Sequence, residues 1–146
     1  MTSLDLVYDA FLSKITEDEW GTWTQDEVKA DLRTILDGAI PYFKFPRVSL
    51  DIDDTQEAFV EDITNEEIQI IAQLMKCEWL NRTIMTWENV KPLYVERDFS
   101  QANLLSKLKE LLEEERYNAL KLERVYYRSI DNKPYSYSQL AGDANG

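Results

Sequence analysis

Histidine is absent from the sequence, and cysteine occurs once, at Cys77. Without histidine, neither a Ser-His-Asp triad nor a histidine-ligated metal site can form. With one cysteine, no disulfide can close within the chain. These absences exclude most enzyme chemistry, so we expect that the chain is not an enzyme and needs neither a cofactor nor a metal ion.

Long apolar runs are absent as well. No stretch approaches the roughly 18 apolar residues of a membrane span, and the first residues carry no basic segment of the kind that opens a secretory signal. We therefore expect a soluble protein that is made inside the cell and has no membrane partner. The length of 146 residues favours one domain with one real core.

Negative charge is plentiful and unevenly distributed. Residues 1–67 contain 17 acidic and 5 basic side chains, whereas residues 68–146 contain 11 of each, so the net charge of −12 comes from the first half. This half repels free duplex DNA, because DNA affinity depends mainly on neutralising phosphates. The pattern indicates an acidic solubilising surface, a wall that DNA slides past, or an acidic patch that faces a basic partner.

Hydrophobic periodicity predicts a mainly α fold. Apolar residues recur every three or four positions in four stretches, which predicts helices over residues 4–14, 24–40, 64–87 and 100–128. A helical bundle domain over residues 1–128 would then be followed by an extended carboxyl-terminal arm, residues 129–146. Ser3 is suited to cap the first helix, and Thr24 and Thr64 each open a capping box.

The third and fourth predicted helices differ in their polar positions. The third is apolar around most of its circumference, with a narrow polar stripe that includes Gln73 and Lys76, so it should be central and buried, with Cys77 as a small core residue. The fourth and longest has apolar residues at heptad positions, with Glu115 as the one polar exception. Three flanking residues are expected to widen this seam: Leu104, Leu111 and Val125.

Between the second and third predicted helices, the spacing of apolar residues changes from every three or four positions to every second position. Val48, Leu50 and Ile52 alternate with polar residues, which predicts a strand, and Phe59 and Val60 suit its return strand. A two-stranded hairpin alone is marginally stable in water. The segment 47–62 should therefore lie on the helices or pair with another chain, and these five apolar residues are candidate interface residues.

The arm supplies three more candidate interface residues, Tyr135, Tyr137 and Leu140. Tyrosine is an effective anchor because it buries a large area with few rotatable bonds. The arm either holds another protein surface or folds back on its own domain.

One stretch resembles a catalytic motif. Asp51, Asp53 and Thr55 match the D-x-D-x-T signature of haloacid-dehalogenase-like phosphatases, in which the first aspartate accepts the phosphoryl group. That fold requires alternating strands and helices, whereas residues 64–128 are predicted to be almost wholly helical. An acidic hairpin turn is the preferred interpretation.

Several other segments are similar to segments of small virion proteins from tailed bacteriophages that infect Gram-positive hosts. They are Ala39–Arg47 (AIPYFKFPR), Glu78–Leu80 (EWL), Ser100–Asn103 (SQAN) running into Leu104, Leu105 and Leu108, and Leu122–Arg128 (LERVYYR). The order of elements fits too. The chain thus resembles the head–tail connectors, also called adaptor, neck or head-completion proteins.

This resemblance implies a structural virion protein without catalytic residues. It would assemble as a ring, a dodecamer, that joins the portal protein to the next neck or tail protein and extends the DNA channel, past which packaged DNA moves without specific binding. Its location would be the virion neck, and the host cytoplasm during assembly. The alternative, based on the acidic half, is a DNA mimic that inhibits a host DNA-binding protein.

Overall fold

The computed structural model describes residues 1–15, 21, 23–90, 98–130 and 133–134. These residues are mainly helical, with a small antiparallel sheet, which confirms the predicted fold class. In chain order the elements are β1 (Thr2–Ser3), α1 (Leu4–Leu12), α2 (Gln25–Ala39), β2 (Ile52–Asp53), β3 (Ala58–Phe59), α3 (Asn65–Val90), α4 (Asp98–Tyr127), β4 (Ser129–Ile130) and β5 (Lys133–Pro134).

The predicted caps are present at the first two helices. The Ser3 hydroxyl accepts a hydrogen bond from the Asp5 amide at 3.2 Å. At α2, the Thr24 hydroxyl accepts from the Glu27 amide at 3.2 Å, while the Glu27 carboxylate accepts from the Thr24 amide at 3.4 Å. These bonds satisfy backbone donors that the first helical turn leaves free.

The helix α3 is the central element, as its apolar circumference predicts. It packs against α1, α2 and α4, and its first half contributes several fully buried side chains. They are Ile70, Ile71, Ala72 and Met75. Cys77 is buried as expected, with a free thiol.

The predicted hairpin forms, and a strand that the sequence did not predict completes it. Strand β3 pairs with β2 on one side, where Ile52 faces Phe59, and with β1 on the other, where Thr2 faces Phe59. The Thr2 hydroxyl also accepts a hydrogen bond from the Ile63 amide at 2.8 Å. The hairpin is thus supported by the first strand of its own chain and by the helices beneath it.

The 30-residue helix α4, about 45 Å long at 1.5 Å per residue, lies against α3. The prediction that Leu104, Leu111 and Val125 widen its seam is wrong, because all three are exposed. Val125, for example, directly precedes the buried Tyr126. One step along an α-helix turns a side chain by about 100°, which carries these residues away from α3.

Candidate interaction surface

The loop that leaves α2 crosses the carboxyl-terminal end of α4 and is fixed there by Tyr126. Pro41 interrupts the helix and lies in a 3-10 turn, Ile40–Tyr42. The Arg47 amide then donates a hydrogen bond to the Tyr126 hydroxyl at 2.7 Å, and its guanidinium donates to the Tyr126 carbonyl and lies 4.3 Å from the ring centroid. The Phe43 ring meets Tyr126 edge-on at 5.3 Å. Two segments 79 residues apart are therefore joined.

The same tyrosine reaches the start of α3. Its hydroxyl donates to Glu67 Oε2 at 2.8 Å. The other oxygen, Glu67 Oε1, accepts from the Thr64 amide at 3.0 Å, in the predicted capping box. Burial and the bond to Glu67 raise the pKa of Tyr126 and the Arg47 amide lowers it, with a net pKa of about 12, so the hydroxyl keeps its proton at neutral pH. We call Arg47, Glu67 and Tyr126 the Tyr126 junction.

Three exposed aromatic side chains belong to the two segments that meet at this junction. We call Tyr42, Phe45 and Tyr127 the aromatic patch. Phe45 is 72% exposed, and its ring lies 6.1 Å from that of Tyr127, while the Arg116 guanidinium lies 6.0 Å from the Tyr42 ring. Burial and the nearby Glu123 raise the pKa of Tyr127, partly offset by a backbone hydrogen bond from Phe45. Exposed clusters of this kind are typical of protein contact sites.

Beside the aromatic patch, a pocket of about 250 Å³ opens between α3 and α4. Its floor consists of buried residues, Leu74, Cys77 and Glu123, whereas Tyr42 and Leu120 at its rim are exposed. We call it the α3–α4 pocket. Tyr42 lines this pocket and is also a member of the aromatic patch.

Ionisable groups line this pocket in two opposed pairs. Burial raises the pKa of Glu123, which Lys44 partly lowers, and burial raises the pKa of Glu78, which Arg116 partly lowers. Burial also raises the pKa of the Cys77 thiol to about 11. At neutral pH this thiol is protonated and a poor nucleophile. The arrangement therefore suits binding better than covalent chemistry.

The predicted interface residues of the hairpin serve mainly the chain's own core. Val48, Leu50 and Ile52 are partly buried and pack against that core. Phe59 is fully buried, so its side chain offers no surface to a second chain, because it fills the space between the small sheet and the helices. Val60 is half-exposed and is free to make an outside contact.

The remaining candidate residues are of two kinds. Tyr135, Tyr137 and Leu140 of the arm lie outside the described residues, and their role stays a prediction. Asp53 forms the hairpin turn, where its Oδ1 accepts from the Thr55 amide at 3.0 Å and from the Gln56 amide at 3.2 Å. Such bonds are typical of an Asx turn, as the preferred interpretation of this acidic segment expects.

The acidic half of the chain forms a face around α2. Lys29 lies 3.8 Å from Asp5 of α1 and 3.9 Å from Glu57 of the hairpin turn, and Arg33 lies 2.8 Å from Asp54 of the same turn. Lys29 and Arg33 are thus engaged by acidic neighbours, and the other carboxylates set the sign of the face. Over the described ranges, no group of three or more acidic or cysteine side chains is placed to hold a metal ion.

Sequence reasoning did not single out Tyr42, Phe45 or Glu123. Tyr42 and Phe45 lie in the segment Ala39–Arg47, and Glu123 lies in Leu122–Arg128. Both segments are among those that resemble phage connector proteins, and the structure brings them into contact. The density of aromatic residues between Pro41 and Pro46 was the available signal, since a loop so rich in rings cannot bury all of them.

Comparisons of the chain with protein-family models, curated proteins and solved structures gave no match. In the part of the chain that the structure describes, none of the helices has the length and apolar character that crossing a membrane requires.

Proposed function

We propose that this protein is a structural connector of a phage neck, a ring of identical copies that joins the portal to the next neck or tail protein. The observation that carries the proposal is the contact between Ala39–Arg47 and Leu122–Arg128. These segments, which resemble those of head–tail connectors, meet at the Tyr126 junction and present the aromatic patch to solvent. A chain that works by contact needs such a surface and no catalytic group.

Charge supports a head-to-tail contact between copies. The end of α4 beside the aromatic patch carries exposed basic side chains, Arg116, Lys121, Arg124 and Arg128. The opposite charge lies on the acidic face around α2. A ring built from heterologous contacts uses two different surfaces on each subunit, and this basic-aromatic surface and the acidic face are complementary. Carboxylates that a neighbour leaves uncovered would repel DNA in the channel.

The experiment measures assembly and has a matched control. Purified chain, alone and mixed with the portal protein of its phage, is analysed by mass photometry and by electron microscopy of negatively stained particles. Phe45→Ser should weaken ring formation, and added salt should weaken it further, whereas Met85→Ser, at an exposed position on α3, should not. A chain that stays monomeric at high concentration, with and without portal protein, would contradict the proposal.

The arm is tested separately. Truncation after Arg128 keeps every residue of the hydrophobic core, so the helices should fold, and circular dichroism checks this. The truncated chain should fail to enter particles, because Tyr135, Tyr137 and Leu140 are then missing. Normal incorporation into virions would remove the arm from the proposed contacts.

A second function is favoured by one observation, the clustering of acidic side chains around α2. A DNA mimic would present that face to a host DNA-binding protein. Salt-sensitive binding to a host DNA-binding protein, together with absence of the chain from purified phage particles, would favour the DNA-mimic function over the connector function.

A further inference from the structure

A groove of about 440 Å³ lies between α1 and the first half of α2. Its lining includes five apolar or aromatic side chains, Tyr8, Leu12, Trp23, Val28 and Leu32. Tyr8 and Leu32 are buried, whereas Trp23 is 41% exposed. We call this site the α1–α2 groove. A concave site with such a lining can take up an apolar side chain from outside.

The edge of the groove carries negative charge. Asp5 and Asp9 of α1 line it, and both side chains are exposed. Lys29 lines it too, but its ammonium already lies 3.8 Å from Asp5 and 3.9 Å from Glu57. An occupant with a positive charge next to its apolar group is therefore favoured, because complementary charges fix the orientation of a contact.

The aromatic patch contains a side chain of this kind. Of the large apolar side chains that the structure describes, Phe45 is the most exposed, and it follows the exposed Lys44. The loop is held in place because Arg47 binds Tyr126. A ring on a fixed loop loses little conformational entropy when it binds, which favours its use as an anchor.

The groove and Phe45 lie at opposite ends of the helical core. Asp31, next to the groove residue Leu32, pairs with Arg82 in the second half of α3 at 2.6 Å. The loop that carries Phe45 is instead tied through Tyr126 to Glu67 at the start of α3. At 1.5 Å per residue, Glu67 and Arg82 are about 22 Å apart along this helix. Two complementary surfaces at separate places on one chain join copies head to tail.

We propose that Phe45 of one copy of this chain inserts into the α1–α2 groove of the next copy, with Lys44 beside Asp9. The inserted ring lies against Trp23 and covers the exposed part of both aromatic side chains, a contact that aromatic pairs favour. This inference rests on the proposed function, since it names the residues through which neighbouring copies of the ring meet.

The first test alters the groove and leaves the aromatic patch intact. Sedimentation velocity of the full-length chain gives the concentration at which half of it is assembled. Trp23→Ser should raise this concentration at least about 30-fold, as expected for a residue at the centre of a contact. Leu6→Ser, at an exposed position of α1 outside the groove lining, should change it less than about twofold. Circular dichroism checks that both variants fold.

The second test exchanges charges across the contact. Lys44→Glu and Asp9→Lys should each raise the half-assembly concentration by about tenfold, because like charges then meet. The double variant restores opposite charges at every contact of the ring, so it should assemble within about threefold of the wild type. A defect in monomer folding would not be rescued in this way. Two effects that simply add would overturn the proposal.

The outcomes separate this inference from the connector function. Rings that form normally in Trp23→Ser would overturn the inference and leave the connector function in place. The same holds if Phe45→Ser lost binding to the portal protein while rings of the chain stayed intact, because Phe45 would then face the portal. A wild type that stays monomeric with and without portal protein would contradict both.

Discussion

Glu115 and Glu123 lie about two turns apart on α4, and both are more than nine-tenths buried, yet their surroundings differ. The carboxylate of Glu115 accepts hydrogen bonds from Gln73 at 2.6 Å and from Lys76 at 3.2 Å. Burial acts to raise its pKa, but these bonds outweigh burial and the pKa is lowered. For Glu123, burial outweighs the attraction of Lys44, and the pKa is raised.

The partner, rather than the degree of burial, decides whether a buried carboxylate stabilises this fold. Gln73 also donates to the Glu115 backbone carbonyl at 3.0 Å, so Glu115 ties α4 to the polar stripe of α3. Glu123 lines the α3–α4 pocket, and its Oε1 has no hydrogen-bond donor in the part of the chain that the structure describes. One carboxylate is therefore compensated by its partners, whereas the other is buried with one oxygen that no donor among the described residues satisfies.

The largest change in the free energy of unfolding is expected from removing the paired carboxylate of Glu115. Glu115→Leu removes the carboxylate that accepts from the Lys76 ammonium and leaves the Gln73 amide with only the backbone carbonyl of residue 115, and breaking a buried pair on one side is costly. The free energy of unfolding should fall by about 3 kcal/mol, as measured by urea denaturation at neutral pH. Glu114→Leu on the exposed side of α4 should change it by less than about 0.5 kcal/mol. A loss as small as in the control would show that the pair contributes nothing.

Both halves of this pair are visible in the sequence, but the pairing is not. Glu115 interrupts an apolar heptad pattern, and Gln73 and Lys76 form the polar stripe of α3. Periodicity fixes which residues share a face of one helix. It does not fix how two helices rotate and slide against each other, because this depends on the packing of the whole core.

The pocket and the aromatic patch are still harder to predict. Pro41 and Pro46 mark a loop, but the path of a loop is set by distant contacts, here the bonds of Arg47 to Tyr126. That path brings Lys44 to Glu123. In the sequence, Glu123 stands among charged residues and has the pattern of a surface position, so its burial follows only from the tertiary fold.

A third buried carboxylate extends the comparison. Glu67 resembles Glu115 in being paired, and Tyr126→Phe removes one of its donors together with the acceptor for the Arg47 amide. The free energy of unfolding should fall by about 2 kcal/mol, since buried groups lose their partners. Tyr127→Phe, one residue further along α4, is the control and should have a smaller effect. An unchanged stability in Tyr126→Phe would mean that the ring alone holds the junction.

Replacing Glu123 is expected to change the free energy of unfolding in the opposite direction. Glu123→Leu replaces a buried carboxylate, whose Oε1 has no donor among the described residues, with an apolar side chain. The free energy of unfolding at neutral pH should therefore rise by about 1 kcal/mol. Thermal unfolding followed by circular dichroism measures it, with Glu114→Leu as the control. If Glu123→Leu were as destabilising as Glu115→Leu, the two carboxylates would be equivalent, and the comparison would fail.

The smallest expected effect is the pH dependence of stability, and it tests the difference between Glu123 and Glu115 most directly. The folded-state pKa of Glu123 lies above its ordinary value of 4.5, so the native state binds a proton before the unfolded state does, and the wild type gains stability as pH falls through that pKa. On acidification from neutral pH, the stability advantage of Glu123→Leu over the wild type should therefore begin to shrink while the pH is still above 4.5.

Glu115 has the opposite order. Its folded-state pKa lies below 4.5, so its contribution to stability is present above that pH and is lost as pH falls further. The deficit of Glu115→Leu should persist to lower pH than the advantage of Glu123→Leu. Urea denaturation of both variants and the wild type between about pH 7 and about pH 3 measures the two windows. If the deficit disappeared first on acidification, the assigned directions of the two pKa shifts would be reversed.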